Sequence, residues 1–105
     1  MTDLAGLLGL GYRSRSLSVG VDRVRRALQQ NEVHCVVIAE DASGRVRDKV
    51  VRLARGKRIP LVVGPDAARL GQTVGKPPVM VVGVRERTLA QGIVGRAPHF
   101  ERREE

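Results

Sequence analysis

Ser18-Val-Gly-Val-Asp-Arg-Val-Arg-Arg-Ala-Leu28, Gln29-Gln-Asn-Glu32 and Val33-His-Cys-Val-Val-Ile-Ala-Glu-Asp41 run without a break, and their reading decides the fold. Val21, Val24 and Leu28 recur at helical spacing, so they face inward and leave Arg23, Arg25 and Arg26 near solvent. Gly20 opens that helix. The four polar residues make a turn, and Val33 to Ala39 is too rich in β-branched residues for a surface helix, so it reads as a central buried strand. A helix start carries unpaired N–H groups and partial positive charge, and a glycine there removes the side chain that would hold a phosphate away. The stretch predicts an anion-binding edge propped on a strand.

On the N-terminal side, Asp3 reads as an N-cap and Leu4, Leu7 and Leu8 as a short amphipathic helix that Gly9-Leu-Gly11 loosens or ends. Tyr12 to Arg15 form a basic bridge, in which Arg13 and Arg15 extend the basic edge, and Leu17-Ser-Val19 is a short strand. The glycines of this region follow no strand, which excludes a nucleotide-binding loop.

On the C-terminal side, Ser43 caps a helix through Val46, Val50, Leu53 and Ala54 that closes at Gly56. Its cations, among them Arg47, Lys49 and Arg52, read as a solvated face. Glu40 and Asp41 read as capping carboxylates and not as a catalytic pair. Ile59 to Val63 is a second strand, Gly64-Pro65-Asp66 turns into a brief helix that stops at Gly75, and Lys76-Pro77-Pro78 is a stiff loop before a third strong strand, Val79 to Val82. Arg85 to Val94 forms a last helix. Residues 1–96 are expected to make one domain, and the polar residues 97–105 a charged, mobile tail.

Strands alternating with helices, the strands nearly all apolar, predict an α/β sandwich with its sheet covered on both faces. The 105 residues are 42% hydrophobic, enough for one core. Lys and Arg number 19 against 11 Asp and Glu, and the formal charge of +8 favours polyanionic partners, nucleic acid before membrane. Tyr12 and Phe100 are the only aromatic residues, too few to stack successive bases on a sheet face. Cys35 is a single cysteine inside an apolar run, which fits a reducing, cytoplasmic setting. His34 and Cys35 read as core or edge residues, not as ligands or nucleophiles. No apolar run approaches the roughly 20 residues of a membrane span. No metal, cofactor or catalytic constellation is expected, and the chain is not read as an enzyme.

Several segments taken in order resemble the kink-turn-binding ribosomal protein family, which includes the archaeal large-subunit protein L-seven-Ae, and its small YlxQ-like bacterial branch in particular. They are Leu8-Gly-Leu-Gly-Tyr-Arg13, Gly20 with Val24-x-Arg26-Ala-Leu28, Val37-Ile-Ala-Glu-Asp-Ala-Ser43, Ile59-Pro-Leu-Val-Val63, and Leu70-Gly71 followed by Gly75-Lys-Pro-Pro78. The resemblance runs from Leu7 to about Ile93. It implies a three-layer α/β/α fold with a small mixed sheet, and binding of an RNA internal loop that bends sharply beside tandem sheared G·A pairs.

The family's Gly-x-Asn-Glu-x-x-Lys pattern falls on Gly20, Asp22, Arg23 and Arg26. By this resemblance Gly20 and the amides after it, beginning at Val21, approach phosphate, and Arg26 replaces a lysine with a cation able to bind phosphate bidentately. Asp22 and Arg23 depart from the pattern, because an arginine cannot accept the hydrogen bonds that the family's glutamate takes from guanine. Either Asp22 accepts in its place, or Arg23 donates to guanine O6 and N7, or Asp22 only stabilises the helix start. Pro77, Pro78 and Val79 fall where the family packs apolar groups on an extruded nucleotide, with Lys76 beside a phosphate; alternatively the prolines only shape a tight connection. The expected partner is structured RNA, ribosomal RNA first, with ribosome or ribosome-assembly components behind it, and the expected state is a monomer. The competing reading is a protein-interaction adaptor of the same fold.

Overall fold

The strand Cys35–Ala39 is buried at every residue, and the other elements are arranged about it. The computed structural model describes residues 3–100. In chain order these form α1 (Leu4–Arg13), β1 (Leu17–Val19), α2 (Val21–Gln29), β2 (Cys35–Ala39), α3 (Gly44–Gly56), β3 (Leu61–Gly64), α4 (Ala67–Thr73), β4 (Val81–Val84) and α5 (Arg87–Val94).

The strands make one mixed sheet in the order β1-β4-β2-β3. β4 runs antiparallel to both of its neighbours, with Val82 opposite Val19 on one side and Val37 on the other. β2 and β3 are parallel, with Val37 opposite Val62. Parallel strands need a crossover, and α3 supplies it. α2 and α3 pack on each other over one face of the sheet, and α1 packs with α4 and α5 over the other. This is the expected three-layer α/β/α sandwich. Its core is aliphatic, with Leu8, Val24, Leu28, Ile38, Val62, Leu70, Val81 and Ile93 all fully buried. Truncating one of the larger of these, such as Ile38, to alanine costs about 2–5 kcal/mol.

Two expectations need correction. α1 does not end at Gly9-Leu-Gly11 but continues to Arg13. A Cβ on Gly11 would stand 2.6 Å from Leu89 Cδ2 and 3.0 Å from Leu17 Cδ2, so this glycine lets α5 and β1 close onto the helix and does not terminate it. Of the expected mobile tail 97–105, residues 98–100 run along the sheet edge, and residues 101–105 lie outside the described residues. Val63 N–H donates to Pro98 O at 2.7 Å and Phe100 N–H to Leu61 O at 2.8 Å. The open side of β3 offers unpaired backbone groups, and these residues satisfy them. Arg47 adds a tether, its guanidinium lying 5.8 Å from the centre of the Phe100 ring.

Capping follows the sequence closely. Asp3, Ser43, Asp66 and Glu86 each accept a hydrogen bond from a first-turn N–H of α1, α3, α4 and α5. Asp41 caps too, but at a distance: its Oδ1 accepts from Ala67 N–H at 2.8 Å, at the start of α4 and not of α3.

Candidate nucleic-acid interface

α2 is the one helix among these whose start has no side-chain cap. Its N-cap is Gly20, with φ 96 and ψ 158, a backbone region that is essentially closed to residues with a Cβ. Nothing lies within 4 Å of where that Cβ would be. Glycine is therefore required here by backbone conformation, and the space above it is open. An alanine at this position is strained by about 1–3 kcal/mol. Gly20 is pinned from behind, its N–H donating to Val81 O at 3.0 Å, while Val24 N–H closes the first helical bond to Gly20 O at 3.0 Å. The earlier amides of α2 are left for a ligand or for water.

The bond from Gly20 to Val81 also fixes the neighbour. Met80 immediately precedes Val81, and its carbonyl accepts from Ala39 N–H at 2.8 Å, so the loop entering β4 lies beside the α2 start. Lys76, Pro77 and Pro78 are exposed in that loop. Their backbone is held against α4, where a Cβ on Gly71 would meet Pro77 O at 2.2 Å. Lys76 Nζ stands 5.9 Å from the centre of the Tyr12 ring, a cation–π distance. Val79 does not belong to this surface. It is 8% exposed and its N–H donates to Ala67 O at 3.0 Å, so its side chain is part of the core. Met80, which is 38% exposed, is the apolar side chain that the loop presents instead.

Arg23 and Arg26 line a shallow groove of about 290 Å³ over β1, together with Ser18, Arg85 and one carboxylate, Glu32. Arg85 was not singled out in the sequence, because its meeting with α2 depends on β4 pairing with β1. Its backbone N–H donates to Ser16 O at 2.8 Å, and its guanidinium donates to Arg15 O. Arg15 thus sits beyond the end of β1 that is far from Gly20. Arg13 is not brought to this edge at all. It lines a different groove, between α1 and α4, with Gly9, Arg69 and Thr73. Asp22 is exposed in the first turn of α2, where a carboxylate is favoured by the helix dipole.

Among the described residues the only ion pair is Arg69 with Asp66, at 3.9 Å. The arginines of α2 therefore form no ion pair among the described residues. Burial pushes the Cys35 thiol up to about 12, which keeps it protonated and unreactive. No group of three His, Cys, Asp or Glu suited to a metal occurs among the described residues.

Residues 2–93 match the family described as ribosomal protein L7Ae/L30e/S12e/Gadd45. The chain belongs to this family. Within the L7Ae family it is 30% identical over 88 residues to RNA-binding protein YlxQ of Bacillus subtilis, covering 84% of this chain and 88% of that protein. It is 38% identical over 63 residues to RNA-binding protein BH0128 of Halalkalibacterium halodurans, covering 60% of this chain and 77% of that one. These relatives place it in the bacterial branch. Among solved structures, a protein of unknown function from Bacillus halodurans C superposes with a TM-score of 0.85 at 27% identity, covering 90% of this chain and 96% of the other. The Giardia lamblia 15.5kD RNA binding protein superposes at 0.78 and 19% identity, covering 88% and 82%, and shares the L7Ae fold.

Proposed function

We propose that this protein binds structured RNA without catalysing a reaction, and that its target is a kink-turn or related internal loop, in ribosomal or other cytoplasmic RNA, bound by a monomer. The observation that carries the reading is the start of α2: an uncapped helix N-terminus opened by a glycine in a glycine-only conformation, with arginines beside it that form no ion pair among the described residues. That arrangement suits a phosphate brought close to backbone amides. The names of YlxQ and BH0128 support RNA as the polyanion.

In this reading the two departures from the family pattern divide the work. Arg23 shares a groove with Arg26 and Arg85, so it serves the phosphates. Asp22 is exposed at the helix start, free to accept hydrogen bonds from a guanine edge as the family's glutamate does. Met80 takes the place expected of Val79 against an extruded nucleotide, beside Pro77 and Pro78.

The test is a titration at two salt concentrations against a kink-turn, the same RNA with its tandem G·A pairs changed to Watson–Crick pairs, and a plain duplex of equal length. Preferential binding to the intact motif that persists at the higher salt is the expected result. Equal, salt-sensitive binding to all three contradicts it.

A further inference from the structure

α2 has a second flank, turned away from β1 and toward α3, and it carries its own charge. Between the two helices runs a groove of about 510 Å³ lined by Arg25, Gln29, Asp48, Lys49, Arg52 and Lys57. Four cations face one carboxylate there. Lys57 is engaged, its Nζ donating to Asn31 Oδ1 at 2.9 Å. Arg25, Lys49 and Arg52 form no ion pair or hydrogen bond among the described residues. The Arg25 Nε is buried and has no hydrogen-bond partner among the described residues, so one donor of this half-buried side chain is unmet. Like charges gathered in one groove repel one another, and an anion lying in it relieves the repulsion.

We infer that this groove is a second phosphate-binding surface, which takes the backbone of one helical arm of the RNA whose internal loop sits at the start of α2. Continuity favours RNA over a separate partner. Val21 to Gln29 spans about 12 Å at the rise of an α-helix, so an arm that leaves the helix start along α2 reaches the groove within its first turn. Arg23 and Arg26 then hold phosphates on one flank of the helix, and Arg25, Lys49 and Arg52 on the other. The inference rests on the RNA-binding reading above and adds to it the direction in which the RNA leaves.

The experiment compares wild-type protein with the Arg25→Gln/Lys49→Gln/Arg52→Gln variant over a series of salt concentrations. Two RNAs share one internal loop, the first with arms clipped close to the loop and the second with one arm longer by a full helical turn. On the long-armed RNA the variant is expected to bind more weakly, and its slope of log affinity against log salt to be shallower by about 2 to 3. On the short-armed RNA the two proteins bind alike. An equal loss on both RNAs, or no loss on either, overturns the inference; the latter would leave the groove to a protein partner. A plain duplex series of the same two lengths separates the two readings. If wild-type protein ignores the internal loop, the kink-turn reading fails, while a length-dependent difference on the duplexes still decides the groove. Should the triple variant melt below wild type, Lys49→Gln/Arg52→Gln, both at exposed positions, carries the same comparison with a slope change of about 1 to 2.

Discussion

Asp22 and Arg23 stand side by side in the first turn of α2, and their surroundings assign them opposite tasks. Arg23 shares its groove with two other arginines, whereas Asp22 is an exposed carboxylate at the positive end of a helix. Asp22→Ala is expected to lower discrimination between the sheared G·A motif and its Watson–Crick control by about 1–3 kcal/mol, with little change in salt dependence. Arg23→Gln is expected to weaken both RNAs alike and to make the salt slope shallower by about 1. Paired titrations of the two variants check this, and a loss of discrimination from Arg23→Gln alone would reverse the assignment. At this scale the sequence was legible where one residue type had one physical reason, as at Gly20. It failed at Val79-Met80, where two apolar neighbours compete for one core position and the bond to Ala67 O selects Val79.

The elements were read well at their centres and less well at their ends. β-branched runs identified β2, β3 and β4, and Asp3, Ser43 and Asp66 were visible as caps or turns. The end of α1 was misplaced because Gly9-Leu-Gly11 was expected to mark it, whereas Gln29 and Gly56 end α2 and α3 as expected. No glycine follows any of these three helices. Instead, Arg15, Asn31 and Arg58, with φ near +60, follow the C-caps of α1, α2 and α3 in the left-handed conformation usual for glycine. The short-range bonds that accompany it, Ser16 N–H to Gly11 O at 2.8 Å and Ile59 N–H to Ala54 O at 2.9 Å, turn the chain without one. Arg58→Gly is therefore expected to stabilise the fold by about 1 kcal/mol in denaturant unfolding.

The start of α5 is capped by a carboxylate, Glu86. Hydrogen bonds from the Leu89 and Thr88 N–H groups hold the Glu86 carboxyl below its usual value. A lowered folded-state value means that its contribution is present above the ordinary carboxyl range and is lost as pH falls through the lowered value. Wild-type protein should accordingly melt above Glu86→Gln at neutral pH, and the difference should vanish in strong acid. A difference that persists in acid would mean that packing, not the carboxylate cap, is responsible.

For the molecule as a whole, the alternation of strand and helix was enough for the sandwich, since each apolar strand needs cover on both faces. Which cations would meet was not readable, because it depends on strand order. β4 comes last in sequence but pairs between β1 and β2, and that placement brings Arg85 to Arg23 and Arg26. The same topology sends Arg13 to the opposite layer. With 19 basic and 11 acidic residues in the chain, and a single ion pair among the described ones, charge on this fold is held in reserve for a partner.

In the proposed function the partner docks at the uncapped start of α2 and the loop entering β4. Backbone amide NMR during titration with a short-armed kink-turn RNA tests it most directly. The largest shifts should fall on Gly20 to Arg26, with Lys76 and Met80 moving alongside them. Shifts concentrated on α3 or α5, with the Gly20 amide unmoved, would contradict it.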